Sequence, residues 1–470
     1  MSPKKKHTDL VERFSETITS LLSNFPRHPQ SEQAFAVAYS GGLDSSVLLM
    51  LTAKYCHQHQ IPLYAFHVHH GLSENADSWL SHCQVFCRQL DVDFSFEKIT
   101  LSELNRDGLE ASARKARYRA IGRFCQSKNI YTVLTGHHLD DQAETLLLQM
   151  LRGAGPAGLS GMDKANFAPD LFINADLTLV RPLLAESRST LEEFASREAI
   201  SYIEDESNHD HRFIRNALRH QVMPILEGVS PGFAARFARV ANHMQSANRL
   251  IEALALQDLQ LCRHGDGLSV SKLRALDADR ADNVLRLWLH QQHLRMPSLS
   301  RLREMIKQLF EAKSDAQVTI FHETVAIHRY QDGLYLADRK RETDSKQLAV
   351  EFQWQGEASK YFPEFGGTLY FHRQQHGLNS EWLLAQQLSL HLRRGGESMK
   401  LADNRPTRSM KSHYQSLNIP FWMRQQLPFV SAGQDLLYAA GVGMNAGVCS
   451  SSANAVALDW VEDETTQIQR

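Results

Sequence analysis

Long hydrophobic runs and clustered cysteines are both missing from this sequence. No stretch approaches the roughly 18 consecutive apolar residues of a membrane-spanning helix, and the opening residues, MSPKKKHTDL, lack the apolar core of a secretory signal. The six cysteines among 470 residues are scattered, which is typical of reduced thiols in a cytoplasmic protein. Cys83 and Cys87 lie four residues apart on a predicted helix. We expect them to share a buried face, because a metal site would need more ligands nearby.

A strong net charge is also absent, since the formal charge at pH 7 is -2. Any surface for a polyanion must therefore be local. Residues 212–249 contain six arginines and one acidic residue, and residues 391–424 contain seven lysines and arginines and two acidic residues. Either stretch alone could be a solvated face. Two such stretches in separate predicted domains favour binding to a long polyanion.

The common phosphate-binding pattern G-x-x-x-x-G-K-[ST] is absent as well. Residues 34–46 instead have the sequence AFAVAYSGGLDSS. The apolar run 34–39 predicts a buried parallel strand, the two glycines predict a tight turn, and Asp44 begins an amphipathic helix. Converging backbone N–H groups, a helix N-terminus and serine hydroxyls make an anion site. The alternative is an ordinary strand–helix turn that contains two glycines.

Predicted strands and helices alternate from residue 34 to residue 152. After the first strand and helix, the predicted strands are 62–70, 92–100 and 131–138, and the predicted helices are 76–90, 109–127 and 140–152. Such alternation predicts an α/β fold with a parallel, doubly wound sheet and helices on both faces. Ligands of such sheets bind beyond the carboxyl ends of the strands, and each polar motif described below falls at such an end.

The second predicted strand ends in HVHHGL, residues 67–72. Three histidines suggest zinc, but no cysteine or carboxylate follows at ligand spacing. Alternation along a strand also directs His67 and His69 to one face and His70 to the other. We therefore expect this turn to line a nucleotide pocket.

The predicted helix 109–127 places Glu110, Arg114, Arg117 and Tyr118 on a shared face, because Arg114 lies three or four residues from each of the others. A plain surface ion pair between Glu110 and Arg114 is one interpretation. Close to a phosphate-binding loop, the same arginine face could bind phosphate through two hydrogen bonds at once.

The fourth predicted strand leads into TGHHLDDQAET, residues 135–145. His137 ends the strand, and Asp141 and Glu144 lie three apart in the next helix, so both carboxylates face the same way. Helix capping accounts for Asp140, but not for a second acid one turn further. A carboxylate pair at this edge of the sheet suits a magnesium ion or a substrate ammonium group.

The pattern changes after residue 228. Residues 233–263 predict one long helix, further helices extend to residue 312, and residues 318–329 and 333–337 predict a β-hairpin. Later strands are predicted at 348–354, 367–372, 388–394 and 436–442. We expect three domains: an α/β catalytic domain at 1–228, a mostly helical middle domain at 229–340, and a small strand-rich α+β domain at 347–470.

The SGGLDSS loop resembles the S-G-G-x-D-S loop of the PP-loop (N-type) ATP pyrophosphatases, which split ATP between its α- and β-phosphates. It is followed in order by HVHHGLSENAD, EASARKARYRAI, GHHLDDQAETLLLQMLRGAG, VRPLL and RFIRNALR. Together these motifs resemble the tRNA(Ile)-lysidine synthetase family over residues 34–231. LRRGGESMKL, HYQSLNIPFWMRQQLPFV and GQDLLYAAGVGMN resemble its C-terminal domain, although residues 411–416 stand where the family often has a lysine-rich segment.

The resemblance implies a ligase that joins free L-lysine to C2 of the wobble cytidine in the CAU anticodon of an isoleucine tRNA, with ATP and Mg²⁺ as cofactors. The implied ATP-binding residues are Ser40, Gly41, Gly42, Leu43, Asp44, Ser45, Ser46, His67, Arg117 and Gly136, with Mg²⁺ at Asp44. The implied catalytic residues are Asp44, Arg114, His137, Asp141 and Glu144. Candidates for contact with lysine or tRNA are Asp141, Glu144, Arg215, Asn216, Arg219, Arg393 and Arg394. The middle and C-terminal domains are implied to bind tRNA, and no protein partner is evident.

The implied reaction has two steps. The cytidine O2 attacks the α-phosphate of ATP, which releases pyrophosphate and leaves an adenylated base. The neutral ε-amine of lysine then attacks C2, and AMP departs. The product pairs with AUA instead of AUG, and the tRNA changes its aminoacylation identity from methionine to isoleucine.

Three other functions are weighed against this one. A tRNA thiolase of the same fold would use cysteine pairs, and no C-x-x-C spacing is present. A ligase acting on small molecules, similar to GMP synthetase or argininosuccinate synthetase, would not need the two basic stretches. A non-catalytic RNA-binding module would not need a complete SGGLDSS loop or the Asp141 and Glu144 pair.

Overall fold

The computed structural model describes residues 9–23, 33–69, 71, 75–99, 109–174, 176–204, 214–292, 294–311, 318–338 and 348–463. The chain forms two compact units, Met1–Leu250 and Ile251–Arg470. The three domain ranges expected from the sequence stay predictions. In the part of the chain that is described, no helix is long and apolar enough to cross a membrane.

Six strands build the sheet of the first unit: β1 (Phe35–Ala38), β2 (Leu63–His69), β3 (Asp93–Lys98), β4 (Thr132–Leu134), β5 (Ala165–Phe167) and β6 (Thr178–Val180). Their order is β3-β2-β1-β4-β6-β5, and only β5 runs antiparallel to its neighbour. β1 pairs in parallel with β2 on one side and β4 on the other. The chain therefore changes direction across the sheet between β1 and β4, which is where ligands of doubly wound sheets bind.

Eight helices of the first unit are α1 (Leu10–Ser23), α2 (Leu43–His59), α3 (Ala76–Gln89), α4 (Leu109–Ser127), α5 (Leu139–Leu151), α6 (Pro156–Leu159), α7 (Pro169–Phe172) and α8 (Arg188–Arg197). Neighbouring residues of β1 enter different cores, because side chains alternate along a strand. Val37 packs with residues of α1, α2, α3 and α8, whereas Ala36 packs with residues of α4 and α7. Both faces of the sheet are thus covered, and the expected doubly wound α/β fold is confirmed.

The chain continues through α9 (Ile214–Ala217), a π-helical turn (Leu218–Val222), α10 (Met223–Val229) and α11 (Phe233–Cys262). The long helix expected at 233–263 is confirmed. Met223 and Phe233 pack with Ala143 of α5 in a small core of their own. This packing brings the described part of the basic stretch, from residue 214 onward, beside α5.

In the second unit, β7 (Arg263–His264), β8 (Gly267–Ser269), β9 (Val318–His322), β10 (Val325–Tyr330) and β11 (Gly333–Asp338) form one sheet in the order β7-β8-β11-β10-β9. Helices Val270–Ala275, Ala278–Gln291 and Leu299–Glu311 accompany it. The single strand expected at 318–329 is wrong, because the chain turns between β9 and β10. Glu323 adopts a φ of 49° there, and no glycine or proline marks this turn in the sequence.

The remaining strands are β12 (Ala349–Phe352), β13 (Ser359–Phe362), β14 (Gly367–Asn379), β15 (Leu388–His391), β16 (Ser398–Met399), β17 (Arg408–Ser409), β18 (Phe429–Ala432), β19 (Asp435–Ala439), β20 (Gly443–Met444) and β21 (Ser450–Glu462), with helices Ser380–Leu384 and Met410–Ser416. They form sheets β12-β15-β18-β19-β20, β13-β14-β21 and β16-β17. The expected strand-rich region is confirmed. β13, β16, β17, β18, β20 and β21 were not predicted.

Candidate active site

The loop between β1 and α2 is built around a glycine that no other residue could replace without strain. Gly41 has a φ of +87°, and a Cβ added to it would lie 2.7 Å from Ile203 Cδ1 and 2.8 Å from Cys83 Sγ. Gly42 directly precedes α2, and no side chain caps this end of the helix. The N–H groups of the first turn are therefore left for a ligand.

The serine hydroxyls of this loop are used inside the protein. Ser45 Oγ donates to Gly42 O at 3.0 Å and lies 3.0 Å from Ser40 Oγ, and Ser46 Oγ donates to Gly41 O at 3.2 Å. Ser46 is 0% exposed, and Leu43 is buried in the core. The side chains of Leu43 and Ser46 therefore hold the loop in shape. The ATP contacts predicted for Leu43 and Ser46 stay predictions, and burial of the two side chains leaves the backbone for such contacts.

His67 lies behind the loop. Its Nδ1 is 3.0 Å from the Tyr39 carbonyl oxygen, and its side chain is buried. Burial lowers the pKa of His67, and the nearby charge of Arg117 acts in the same direction. The ATP contact predicted for His67 stays a prediction, although the ring is buried against the Tyr39 carbonyl. Arg117 is exposed on α4.

A buried histidine connects the loop to α5. His138 is 0% exposed. Its Nε2 lies 3.6 Å from Asp44 Oδ2 and 3.4 Å from Asp141 Oδ2, and its Nδ1 lies 3.5 Å from Asp140 Oδ2. The backbone N–H of His138 also donates to Asp141 Oδ2 at 3.1 Å. One imidazole therefore bridges Asp44 of the loop and the first turn of α5.

The two adjacent histidines carry different charges. Burial alone would lower the pKa of His138, but the carboxylates of Asp141, Asp140 and Asp44 raise it to about 10. Burial lowers the pKa of His137 to about 3, and the charge of Asp141 only partly opposes this. Burial would raise the pKa of Asp141, but the charges of His138 and Arg215 lower it to about 2. His138 is thus a cation at neutral pH, and His137 is a neutral imidazole.

The carboxylates of Asp141 and Glu144 face the same way, as their spacing predicts, but two arginines already bind them. Arg215 Nε donates to Glu144 Oε2 at 2.8 Å, and Arg219 Nε donates to Glu144 Oε1 at 2.5 Å. The guanidinium groups of Arg215 and Arg219 also donate to Asp141 Oδ1, at 3.3 and 3.0 Å. We call these four residues the carboxylate–arginine ring. Glu144 is 0% exposed within it.

Gly136 and Arg114 lie at the same edge of the sheet. A Cβ on Gly136 would stand 3.0 Å from the backbone carbonyl carbon and oxygen of Asp44, so the end of β4 can approach α2 only as glycine. Arg114 Nη2 donates to Tyr118 Oη at 3.3 Å, and the guanidinium lies 5.0 Å from the Tyr118 ring centroid. The predicted arginine–tyrosine face of α4 therefore exists, although Arg114 uses it to contact Tyr118.

The two basic stretches are less available than the sequence suggests. Arg215 and Arg219 belong to the carboxylate–arginine ring, and Asn216 between them is half-buried. Arg424 is 8% exposed and donates to the Ile419 carbonyl oxygen at 2.7 Å. In the second unit, Arg393 and Arg394 remain exposed.

His138 is the main residue of this site that sequence reasoning missed. It directly follows His137 in GHHLDD, and two adjacent residues at the end of a strand point in different directions. The two aspartates that follow it were the available signal, because a buried imidazole beside several carboxylates gains a proton.

The cysteines do not form a reactive pair. All six are free, and burial raises the pKa of Cys83 and of Cys87 to about 12. Such thiols stay protonated at neutral pH and are poor nucleophiles. This result agrees with the sequence argument against a thiolase.

Comparison with known proteins gives three matches to family models. A PP-loop domain matches residues 10–226, a TilS substrate binding domain matches residues 268–335, and a TilS substrate C-terminal domain matches residues 388–460. The chain is 36% identical over 430 residues to tRNA(Ile)-lysidine synthase of Coxiella burnetii, with 92% of each protein covered. It is 34% identical over 435 residues to tRNA(Ile)-lysidine synthase of Haemophilus influenzae, with 90% of this chain and 98% of the relative covered. The chain therefore belongs to the tRNA(Ile)-lysidine synthase family.

Proposed function

We propose that the polar edge between β1, β4 and α5 is the catalytic site at which this chain forms lysidine in an isoleucine tRNA. As a family member, the chain is a tRNA-modifying ligase, and its PP-loop domain implies the use of ATP. The acceptor is proposed to be the wobble cytidine of a CAU anticodon, and the donor is proposed to be free L-lysine.

One observation carries this proposal. The His138 imidazole lies within 3.6 Å of Asp44 in the nucleotide loop and within 3.4 Å of Asp141 on α5. The residues proposed for ATP and those proposed for lysine are therefore parts of one site. Lysidine formation needs this proximity, since the base activated by ATP must then meet the amine.

The loop at residues 40–45 is proposed to bind the pyrophosphate half of ATP. The N-terminus of α2 has no side-chain cap and follows the left-handed turn at Gly41, so its backbone N–H groups are proposed to bind the phosphates. They would stabilise the negative charge that moves onto pyrophosphate as the cytidine O2 attacks the α-phosphate. An unpaired anticodon base can enter such a pocket without the cost of opening a duplex.

Asp44 fits a magnesium ion. Its Oδ1 is buried and has no hydrogen-bond partner among the described residues. Magnesium is commonly bound by one or two carboxylates together with substrate phosphates, and when bound it would neutralise charge on the phosphate oxygens. A Cβ at Gly136 would press on the Asp44 backbone, so glycine at this position keeps Asp44 in place.

The second step needs a neutral lysine amine and a route for its proton. His137 is uncharged at neutral pH because burial lowers its pKa to about 3, so its ring can accept a hydrogen bond. Asp141 and Glu144 are proposed to hold the lysine ammonium before it loses its proton. In that case the ammonium must share these carboxylates with Arg215 and Arg219 or displace them from the ring.

For tRNA, the exposed residues Arg393 and Arg394 are proposed to bind backbone phosphates. Phosphate contacts of this kind add affinity without reading sequence. A cytoplasmic location, expected from the scattered cysteines, is part of the same proposal, because isoleucine tRNA is used there.

The test measures AMP release, pyrophosphate release and incorporation of labelled lysine on an isoleucine tRNA transcript with a CAU anticodon. Asp44→Asn should abolish pyrophosphate release and leave the Kd of tRNA unchanged. The matched control is Asp77→Asn, because Asp77 also lies in the first turn of a helix but is 79% exposed. Pyrophosphate release at the wild-type rate by Asp44→Asn would refute the role of Asp44. ATP consumption without lysine incorporation by the wild type would refute the proposed acceptor chemistry.

A further inference from the structure

Arg181 is a buried arginine that none of the proposed roles uses. It directly follows β6, at the same edge of the sheet as His137, and it is 8% exposed. Its Nη1 donates to the Asp163 carbonyl oxygen at 2.7 Å and to Asn166 Oδ1 at 2.8 Å. Both acceptors are uncharged, and Arg181 Nε has no hydrogen-bond partner among the described residues.

The residues that the structure describes do not neutralise the charge of Arg181 at close range. No carboxylate in the described part of the chain forms an ion pair with Arg181, although the Asp163 carboxylate acts on it from a longer distance. Arg114 is close enough to act on Arg181 with a charge of the same sign. Buried cations are costly unless they are paired. Two neighbouring arginines that bind no carboxylate of the described residues therefore form a place where an anion would be stabilised.

The backbone segment that binds Arg181, at Met162 and Asp163, is held in place by a second set of hydrogen bonds. Gln142 Nε2 donates to the Met162 carbonyl oxygen at 2.9 Å, and Gln142 Oε1 accepts from the Met162 N–H at 2.8 Å. Met162 precedes Asp163, whose carbonyl oxygen binds Arg181. The guanidinium is thus fixed before any ligand arrives, as a binding group should be.

The surroundings of His137 have both signs of charge. Burial lowers the pKa of the His137 ring, and the negative charge of Asp141 raises it. The positive charges of Arg181, Arg114 and Arg215, which form the positive set, lower that pKa. A nucleotide phosphate would use only the positive set, and the uncapped N-terminus of α2 already offers a separate site for phosphate. A free amino acid carries a carboxylate and ammonium groups, so it would use both sets.

We propose that Arg181, assisted by Arg114, binds the α-carboxylate of the free amino-acid substrate. This assignment rests on the proposed function, in which Asp141 and Glu144 receive an ammonium group of that substrate. The Arg181 subsite would select a complete amino acid over a simple diamine and would direct the side-chain amine toward the activated base.

The test compares L-lysine with 1,5-diaminopentane, which is lysine without its carboxylate. For the wild type, Arg181→Gln, Arg181→Lys and Arg114→Gln, the KM of L-lysine, the inhibition constant of the diamine and the KM of ATP are measured on the full chain with the CAU transcript. Arg123→Gln is the control, since Arg123 of α4 forms an exposed ion pair with Glu97 of β3.

Arg181→Gln should raise the KM of L-lysine by about 10- to 100-fold, the equivalent of one charged hydrogen-bonded contact. It should leave the inhibition constant of the diamine and the KM of ATP unchanged. Arg181→Lys should recover part of the lost affinity, because it keeps the charge but not the planar fork. Arg123→Gln should change none of the constants.

Three results would overturn the assignment. If Arg181→Gln raises the KM of L-lysine and the inhibition constant of the diamine by the same factor, Arg181 only shapes the site. If the KM of ATP alone rises, Arg181 binds phosphate. If Arg181→Gln does not fold, Arg114→Gln decides, since Arg114 is exposed, and equal effects on both ligands would then refute the proposal. A wild type that incorporates no lysine would instead refute the proposed function, and calorimetric titration with L-lysine and the diamine would still test the carboxylate contact.

Discussion

Replacing Glu144 by glutamine should loosen α5 and weaken the use of lysine at the same time. The Glu144 carboxylate is 0% exposed and accepts one hydrogen bond from each of two guanidinium groups. Glutamine keeps one acceptor oxygen but directs an NH₂ group at the second arginine. At least one charged hydrogen bond is then lost, and two donors face each other.

The magnitude follows from the exposure of the partners. A hydrogen bond to a charged group contributes about 1.5–3 kcal/mol to stability. The side chains of Arg215 and Arg219 are 31% and 27% exposed, so both can turn partly to water after the change. We therefore expect the free energy of local opening of α5 to fall by about 2 kcal/mol, which makes amide exchange about 30-fold faster.

The assay is hydrogen–deuterium exchange with mass spectrometry on peptides that cover Leu139–Leu151. The control is Glu97→Gln, which removes an exposed ion pair with Arg123. It should change the free energy of local opening of α5 by less than about 1 kcal/mol. Equal exchange in the two variants would show that the carboxylate–arginine ring does not hold α5 in solution. If Glu144 also binds the lysine ammonium, the KM of lysine should rise while the KM of ATP does not. Equal changes in both would assign Glu144 to the nucleotide or its metal.

Two further predictions concern charge. Because the pKa of His138 is raised from 6.5 to about 10, the stability that it contributes is complete below about pH 6.5 and is lost as the pH rises to 10. The free energy of unfolding should therefore fall by up to about 1.4 kcal/mol per pH unit. Urea titrations between pH 6 and 10 should detect this slope in the wild type and not in His138→Gln. Equal slopes in the two proteins would refute the charge on His138. Replacing both Arg393 and Arg394 by glutamine should raise the Kd of tRNA and lower the slope of log Kd against log salt concentration by about 2, while the KM of ATP stays the same. An unchanged slope would show that these arginines only face solvent.

That double substitution is a cleaner test of tRNA binding than deletion of residues 348–470. Deletion would remove Trp422, whose ring stacks on the buried His328 at a centroid distance of 4.2 Å. Gln331 would also lose its hydrogen bond to Asn418. A truncated chain would therefore combine the loss of basic residues with new exposure of an aromatic surface, and its tRNA affinity could not be attributed to either.

The sequence was sufficient to predict the edge of the sheet at which the polar residues meet. Apolar runs gave the ends of β1 and β4, and parallel strands bring their carboxyl ends to one edge. Asp44 and Asp141 follow those two strands, and the structure connects both to His138. The i, i+3 spacing of Asp141 and Glu144 was likewise enough to predict that their carboxylates face the same way.

The partners of those carboxylates could not be predicted, because they come from a distant part of the chain. Arg215 and Glu144 are 71 residues apart, and Arg219 and Asp141 are 78 apart. Nothing in a basic stretch says whether its arginines face solvent or a buried acid. The hydroxyl of Ser46 presents the same difficulty, since a loop serine can bind phosphate or its own backbone, and here it donates to Gly41 O.

Under the proposed function, the carboxylate–arginine ring also restricts how lysine and tRNA can bind. Two carboxylates and two guanidinium groups are neutral together. A lysine ammonium added to this ring leaves an excess positive charge, and a tRNA phosphate added to Arg215 or Arg219 leaves an excess negative charge. Both substrates added together restore neutrality, which matters where Glu144 has no contact with water. The electrostatics of the ring therefore favours lysine and tRNA bound together over either one alone, and by linkage each should raise the affinity of the other by the same factor.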